Sequence, residues 1–332
     1  MSKKIYLNGP DLMRTINLLF IGALLLCGGV FGGIAALSPK ERFVTSDIDH
    51  FWQAVDSLHS ARTKEDSIQL IKSLYIDRMS SEGKTFLMIR GYTAPEYIRA
   101  LQKYPRYYRA LRTKTDRITE YRTMLDSTFA LFSRKISGYK PPRICFAIGC
   151  FRGGGTTRKD LILMGAEIAL CDSLTDVSEF KGNLHDALDK GIDLQELVAH
   201  ESIHCQQHHA RNRSLLSVTL QEGAANFLSA KVLERDLTKE ISPYERENEC
   251  QLWNEFKPAA NGDDLSQWLF NTGSVKNRPP DLGYFIGMRI CEAYYNRTVD
   301  KQEAIKNLLD RSEYLKVMEQ SGYNGNCTDA AN

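Results

Sequence analysis

The sequence predicts a mostly helical α+β protein with one small β-sheet. From residue 45 onward, apolar residues recur at intervals of three and four over most of the chain, which is the spacing of amphipathic helices. Between residues 144 and 168 the pattern changes to two short apolar runs around a glycine-rich segment, which indicates strands. The 332 residues are enough for a large hydrophobic core.

The charge balance argues against one class of partner. The chain has 43 Lys and Arg residues against 41 Asp and Glu residues, a formal net charge of +2. A nearly neutral chain has no bulk attraction for nucleic acid. We therefore expect no nucleic-acid partner.

An uncharged apolar run occupies residues 16–37, and three basic residues precede it. The run is long enough to span a bilayer as a helix, and its basic side should stay in the cytoplasm. We predict a cytoplasmic tail at residues 1–15, a signal anchor at 16–37 and a translocated remainder. A cleaved signal peptide ending at 34–36 is the alternative. A lipoprotein site at Cys27 is disfavoured, because Leu26 precedes it where a small residue is required.

Residues 45–140 form a helical region by their apolar spacing. The pattern predicts helices at 47–58, 67–79, 84–92 and 94–105. Pro105 breaks or restarts a helix, and the helical pattern continues over 106–136. The window 99–122 is basic and contains several tyrosines. We interpret it as a solvated helical face rather than a nucleic-acid surface, because the segment is expected to lie outside the cytoplasm.

The small sheet is predicted just before the most informative part of the chain. Residues 144–149 and 161–168 are expected to be buried strands, with a tight turn at 152–157. The glycine run in that turn lacks the Gly-Lys-Ser/Thr ending of a phosphate-binding loop. Residues 172–192 are predicted to be a polar loop.

The next helix carries the pattern HExxH, formed by His200, Glu201 and His204. Asp193 is a suitable N-cap, with Glu196 as its capping-box partner. Positions i and i+4 share one helix face, so both imidazoles can bind one ion. Glu201 lies beside them and can reach a water without binding the metal, which is the arrangement that zinc hydrolases need.

A catalytic zinc requires three protein ligands and one open position. Glu222 is the predicted third ligand, in a second helix whose small residues at 223–225 would permit close approach to the first helix. Asn226 lies four residues further on the same face, where it could hold the other N–H of a histidine ligand.

Three residues near the motif are given no ligand role. His208 continues the i+4 series one turn beyond His204, and we expect it to face solvent or to support a ligand. His209 points elsewhere and receives no assignment. Cys205 faces away from the ligands and is predicted to be a small buried hydrophobe.

The C-terminal part is predicted to be helical. Trp253 and Trp268 are expected in the core, a turn is expected at 277–281, and residues 282–295 form an apolar helix. Peptide hydrolysis needs a donor for the developing oxyanion, and Tyr284 and Arg278 are the candidates. The alternative for them is purely structural: a packed tyrosine and a surface arginine. A loose polar tail is predicted after Tyr323.

The eight cysteines do not form a recognisable disulfide framework. An oxidising compartment permits one or two bridges, but the sequence does not assign them.

Several segments resemble a known family. LVAHESIHCQQ and LQEGAANFLSA resemble the predicted zinc-dependent proteases of the gluzincin kind, and are more closely similar to the GldB-related gliding-motility proteins. The segments YPRYYRALR, DLGYFIGMRICEAYYN and YLKVMEQSGYN extend the resemblance over roughly residues 45–325. It implies a gluzincin-like fold, with a metallopeptidase region at 141–325. It also implies a membrane-anchored, extracytoplasmic protein on the periplasmic side of a bacterial inner membrane. The departure is Asn226, where gluzincins usually carry Asp.

These observations predict a membrane-anchored zinc metallopeptidase that acts on a peptide or protein substrate. Zn²⁺ would be bound by His200, His204 and Glu222, and Glu201 would act as general base. The alternative is a non-catalytic or structural protein of the cell envelope or gliding machinery that retains the zinc site. A zinc hydrolase acting on a substrate other than a peptide is a weaker possibility.

Overall fold

The computed structural model describes residues 42–209, 213–272, 274–275 and 277–327. The predicted tail at 1–15 and anchor at 16–37 lie outside these residues. Within them, no helix is long and apolar enough to cross a membrane. The predicted fold class is confirmed, because helices dominate and the strands form one small sheet.

Among the described residues, a short strand and six α-helices precede the rest of the sheet. They are β1 (Phe43–Val44), α1 (Ser46–Ser57), α2 (Lys64–Ile71), α3 (Ser81–Arg90), α4 (Ala94–Lys103), α5 (Pro105–Thr115) and α6 (Tyr121–Lys135). The helical pattern at 106–136 forms two helices, because a 3₁₀ turn at Ile118–Glu120 separates α5 from α6. Several β-branched residues at the junction lower its helix propensity.

The sheet has four strands in the order β1-β2-β4-β3. The new strands are β2 (Arg143–Ala147), β3 (Gly155–Arg158) and β4 (Leu161–Gly165). The pairs β1–β2 and β2–β4 are parallel, whereas β3 pairs antiparallel with β4 and forms an edge of the sheet. Strand β1 was not predicted, since two residues are too few to show an alternating pattern.

Two predictions around the sheet are corrected. The expected turn at 152–157 is partly strand, because the hairpin reverses later, where Lys159 adopts a left-handed φ of 56°. The expected strand at 161–168 ends at Gly165 and continues as the short helix α7 (Ala166–Ala169). Glu167 explains the change, since its buried carboxylate accepts hydrogen bonds from the N–H groups of Gly149 and Phe151.

The remaining helices include the one that carries the motif. They are α8 (Gly182–Asp189), α9 (Leu194–Gln206), α10 (Leu215–Val232), α11 (Leu237–Glu240), α12 (Pro243–Glu247), α13 (Glu249–Ala259), α14 (Leu282–Arg297), α15 (Lys301–Leu309) and α16 (Tyr314–Ser321). Helix α8 contradicts the predicted loop at 172–192. Its two leucines are four residues apart, and Leu188 is fully buried.

One continuous core includes residues from the N-terminal helices, the sheet and the C-terminal helices. Trp253 and Trp268 belong to it, as predicted. The prediction of a loose tail after Tyr323 is wrong as far as Cys327, which forms a disulfide with Cys250. Tyr323 and Asn326 also donate hydrogen bonds to Glu249 at the start of α13.

Candidate metal centre

Three residues from two helices meet at one point. The Nε2 atoms of His200 and His204 are 3.0 Å apart, and Oε2 of Glu222 lies 3.3 Å from the first and 3.2 Å from the second. All three side chains are at least nine-tenths buried. The structure thus brings together the three residues that the sequence proposed as ligands, as a group that could hold a metal ion.

Helix α9 presents the two histidines. Asp193 caps its N-terminus, as expected, because its side chain accepts a hydrogen bond from the N–H of Glu196. The cap consists of this bond and is not the full capping box that was predicted with Glu196. The helix continues to Gln206 without interruption, so His200 and His204 are one turn apart on the same face.

Helix α10 presents Glu222, and its position depends on α14. A Cβ atom added to Gly223 would lie 2.1 Å from the backbone of Gly287, and one added to Gly287 would lie 2.0 Å from the carbonyl oxygen of Thr219. The backbones of α10 and α14 therefore touch at these glycines. The prediction that Gly223 permits approach to the motif helix is wrong, because this glycine faces α14.

Two amide side chains fix the protonation of the histidines. Nδ1 of His200 is 2.7 Å from Oδ1 of Asn226, and Nδ1 of His204 is 2.8 Å from Oε1 of Gln207. An amide oxygen only accepts, so each Nδ1 carries the proton and each Nε2 of the neutral ring presents a lone pair. Gln207 is held in this orientation because its Nε2 donates to the carbonyl of Gln221.

The donor set fits a zinc ion. Two imidazole lone pairs and one carboxylate oxygen face each other at 3.0–3.3 Å. Without a cation or an additional proton these atoms would repel each other. Ligands around tetrahedral zinc, at about 2.0–2.2 Å from the ion, lie about 3.3–3.6 Å apart. The observed separations are close to this spacing.

Glu201 lies on the side of α9 that faces the sheet. A Cβ atom added to Gly155 would be 2.8 Å from its Oε1, so the carboxylate lies directly against the backbone of the edge strand β3. The side chain is almost completely buried. Only glycine at position 155 leaves this space for the carboxylate, whose residue directly follows the ligand His200 on the helix.

The two candidate oxyanion donors differ in position. The ring of Tyr284 lies 6.5 Å from the ring of His200, and the residue lines a cavity of about 50 Å³ together with Asn226. Arg278 is held elsewhere. It donates to Glu255 and to the carbonyl of Gln267, and its guanidinium stacks on Trp268. The structure thus places Tyr284 near the cluster. Arg278 has the structural role that was the alternative for it.

The neighbouring residues of the motif are placed as follows. Helix α9 ends before His208, so this residue does not continue the helical series, but it faces solvent as expected. Cys205 is half-buried rather than fully buried. Burial raises the pKa of its thiol, so Cys205 stays protonated and suits the apolar role assigned to it.

The sequence did not identify Gln207 or Tyr314 as supports of the site. Gln207 donates to the hydroxyl of Tyr314 at 3.3 Å as well as holding His204. An amide three residues after a histidine ligand was a usable signal, since a long side chain at the C-cap can reach back to the last turn of the helix. Tyr314 gave no such signal, because it lies more than 100 residues away in sequence.

No family model, curated protein or solved structure matches this chain. The functional argument therefore depends on the geometry of the cluster.

Proposed function

We propose that this chain is a membrane-anchored, extracytoplasmic zinc metallopeptidase. The observation that supports the proposal best is the convergence of two imidazole lone pairs and one carboxylate oxygen within 3.3 Å. A carboxylate that is not part of this set, Glu201, lies next to it on the same helix. Three ligands and a separate base are the protein groups that zinc-dependent hydrolysis uses.

A bound zinc ion would supply a Lewis acid and lower the pKa of a water molecule to roughly 7. His200, His204 and Glu222 would hold the ion, and Asn226 and Gln207 would keep the two rings oriented. Glu201 would accept the proton of the attacking water and then deliver it to the leaving amine. Tyr284 is the proposed donor to the oxyanion.

The edge strand β3 is the proposed site for the peptide substrate. Gly154 accepts a hydrogen bond from Gly165, so its carbonyl faces β4. By the alternation of an antiparallel pair, the N–H and C=O groups of Gly155 and Thr157 point away from β4. An extended peptide can add to such an edge through main-chain hydrogen bonds, and Gly155 would place it beside Glu201.

Arg90 restricts where the peptide can bind. Its guanidinium donates to the carbonyl of Gly155 at 2.7 Å. The backbone groups of Thr157 remain as the proposed pairing site, one hydrogen-bonding position further along the edge. The substrate would then run antiparallel to β3, with the bond to be hydrolysed nearest Glu201.

Two features support the extracytoplasmic location. The Cys250–Cys327 disulfide is typical of proteins that fold in an oxidising compartment. The apolar run at 16–37, with basic residues before it, favours translocation of the rest of the chain.

The Glu201→Gln variant tests the mechanism. It should keep its zinc and lose peptidase activity by roughly 10²–10⁴-fold, which is the usual contribution of a general base. Glu245→Gln is the matched control, because this carboxylate is equally buried and accepts hydrogen bonds from the N–H and the hydroxyl of Ser242 through one oxygen, Oε2. The single amide oxygen of glutamine can accept both of these bonds, so this change should preserve the fold. Full turnover by Glu201→Gln would contradict the mechanism.

A second candidate function is a structural zinc protein of the cell envelope. Asn226 favours it, because the amide orients His200 without the negative charge that a carboxylate would bring. In that case both the wild type and Glu201→Gln would bind zinc and neither would cleave peptides. The same pair of proteins therefore separates the two functions.

A further inference from the structure

A second group of metal-binding side chains lies just after the motif helix. His208, His209 and Asp310 offer ligand atoms that all lie within 4.8 Å of one another. Nδ1 of His209 is 3.1 Å from Oδ2 of Asp310, and Nε2 of His208 is 3.6 Å from the same oxygen. None of the three belongs to the cluster of His200, His204 and Glu222.

The protonation of His208 makes this arrangement informative. Its Nδ1 lies 3.2 Å from the carbonyl oxygen of Gln206, which can only accept, so Nδ1 carries the proton. In the neutral ring Nε2 therefore presents a lone pair towards a carboxylate oxygen. A histidine that donates Nδ1–H to a backbone carbonyl and directs Nε2 at a cation is a common arrangement in metal sites.

Asp310 is held with one oxygen directed at the histidines. Its Oδ1 accepts hydrogen bonds from the N–H and the hydroxyl of Ser312, which leaves Oδ2 for the two rings. The carboxylate is therefore oriented before any ion binds.

The backbone also holds the two segments together. His208 donates its N–H to the carbonyl of Leu309, and its own carbonyl accepts from the N–H of Arg311. The two segments of the chain therefore form a parallel β-bridge. His209 has a left-handed φ of 58°, which is uncommon for histidine. This conformation brings its ring to Asp310, 4.3 Å from the ring of His208 between centroids.

We propose that His208, His209 and Asp310 bind a second divalent transition-metal ion at the protein surface. Two imidazoles and one carboxylate suit Zn²⁺, Ni²⁺ or Cu²⁺ rather than Mg²⁺ or Ca²⁺, which prefer oxygen ligands. Both rings are about half exposed, with His208 at 47% and His209 at 58%. Water thus competes for the ion, and the site binds it more weakly than the buried cluster. By joining residue 208 to residue 310, the ion pins the end of α9 to the end of α15.

The test uses the full-length, tag-free chain carrying His204→Ala, which disables the buried cluster. Ni²⁺ is titrated by calorimetry, and the melting temperature is measured with and without the ion. We expect one Ni²⁺ per chain and a rise in melting temperature. Adding His208→Gln and His209→Asn should abolish both effects. Asparagine tolerates the left-handed backbone at position 209, and both positions are exposed, so these changes preserve folding.

His185→Ala is the matched control. His185 is also exposed and lies 3.2 Å from one carboxylate, that of Asp186. The proposal predicts that this variant still binds Ni²⁺. Unchanged binding after loss of both His208 and His209, or no binding by folded His204→Ala, would overturn the second site. The result does not depend on the peptidase proposal, because the buried cluster is disabled throughout.

Discussion

The two candidate metal clusters contain the same kinds of ligand in very different surroundings. Each has two histidines and one carboxylate, and His204 and His208 are only four residues apart. In the first cluster the side chains are at most 8% exposed, whereas the second has exposures of 47%, 58% and 18%. The first also has a dedicated amide for each ring.

This difference teaches what a ligand set requires to become a catalytic candidate. Burial prevents water from replacing the ligands, and the amides of Asn226 and Gln207 fix which nitrogen faces the ion. In the exposed cluster, a backbone carbonyl holds the ring of His208, and Oδ2 of Asp310 faces the two histidine rings. In the buried cluster, His200 is followed directly by a further carboxylate, Glu201, which lies against the edge strand β3.

The largest expected effect is the loss of a buried ligand. Changing Glu222 to Ala should lower zinc affinity by more than roughly 100-fold, because removing even an outer supporting residue commonly costs 10- to 100-fold. Asp310→Ala should leave this tight zinc in place. Competition with a chromophoric chelator measures both affinities. Equal loss of tight zinc in the two variants would break the distinction between the clusters.

A second prediction concerns Glu201, the carboxylate that is proposed as the general base. Gly155→Ala should keep zinc and lower turnover on the order of 100-fold, because the new Cβ must displace Glu201 and misplacement by about 1 Å is that costly. Gly154→Ala is the control, since the atoms nearest to its Cβ would belong to the side chains of Ile168 and Leu197, at 3.0 and 3.2 Å, and not to Glu201. Turnover rates at matched zinc content provide the measurement. Normal turnover by Gly155→Ala would mean that the Glu201 position is unimportant.

The supporting amides should have a smaller effect on zinc affinity. Asn226→Ala and Gln207→Ala are each expected to weaken zinc binding by roughly 10- to 100-fold. Tyr314→Phe removes only the hydroxyl that contacts Gln207 at 3.3 Å, while Gln221 still holds the amide, so it serves as a mild control. Zinc dissociation rates should rank the three variants. If Tyr314→Phe releases zinc as fast as Gln207→Ala, the amide contact with His204 does not orient the ring.

The smallest expected effect concerns the second ion alone. A wash with millimolar imidazole should remove metal from His208, His209 and Asp310 while the buried zinc remains, since only the exposed rings can exchange ligands readily. Elemental analysis before and after the wash measures the difference. Removal of all metal by this treatment would show that burial does not separate the two sites.

Local signals explain how far the sequence could predict the molecule. The ligand cluster could be predicted from the sequence because the HExxH pattern depends only on the helical repeat. Glu222 and Asn226 are also one helical turn apart. Gly155 was not recognised as part of the site, since its role depends on the long-range packing of β3 against α9. The prediction for Gly223 was wrong for the same reason. A small residue indicates that another helix approaches closely, but it does not indicate which helix.

Long-range pairings account for the other differences. A two-residue strand such as β1 has no pattern of its own and exists only because β2 is beside it. The C-terminal segment appears polar and unstructured in sequence, yet Cys327 is bonded to Cys250, and seven cysteines outside the apolar run gave no means of choosing that pair. The convergence of His208 and Asp310 likewise joins residues about 100 positions apart.

The central claim is that His200, His204 and Glu222 hold a zinc ion. The most direct test is elemental analysis of the full-length chain, purified without chelator and washed with imidazole, beside the His204→Ala variant. The account predicts about one zinc per wild-type chain and none in the variant. Folded wild-type protein that contains no zinc, or a variant that keeps it, would contradict the metal centre and the peptidase proposed from it.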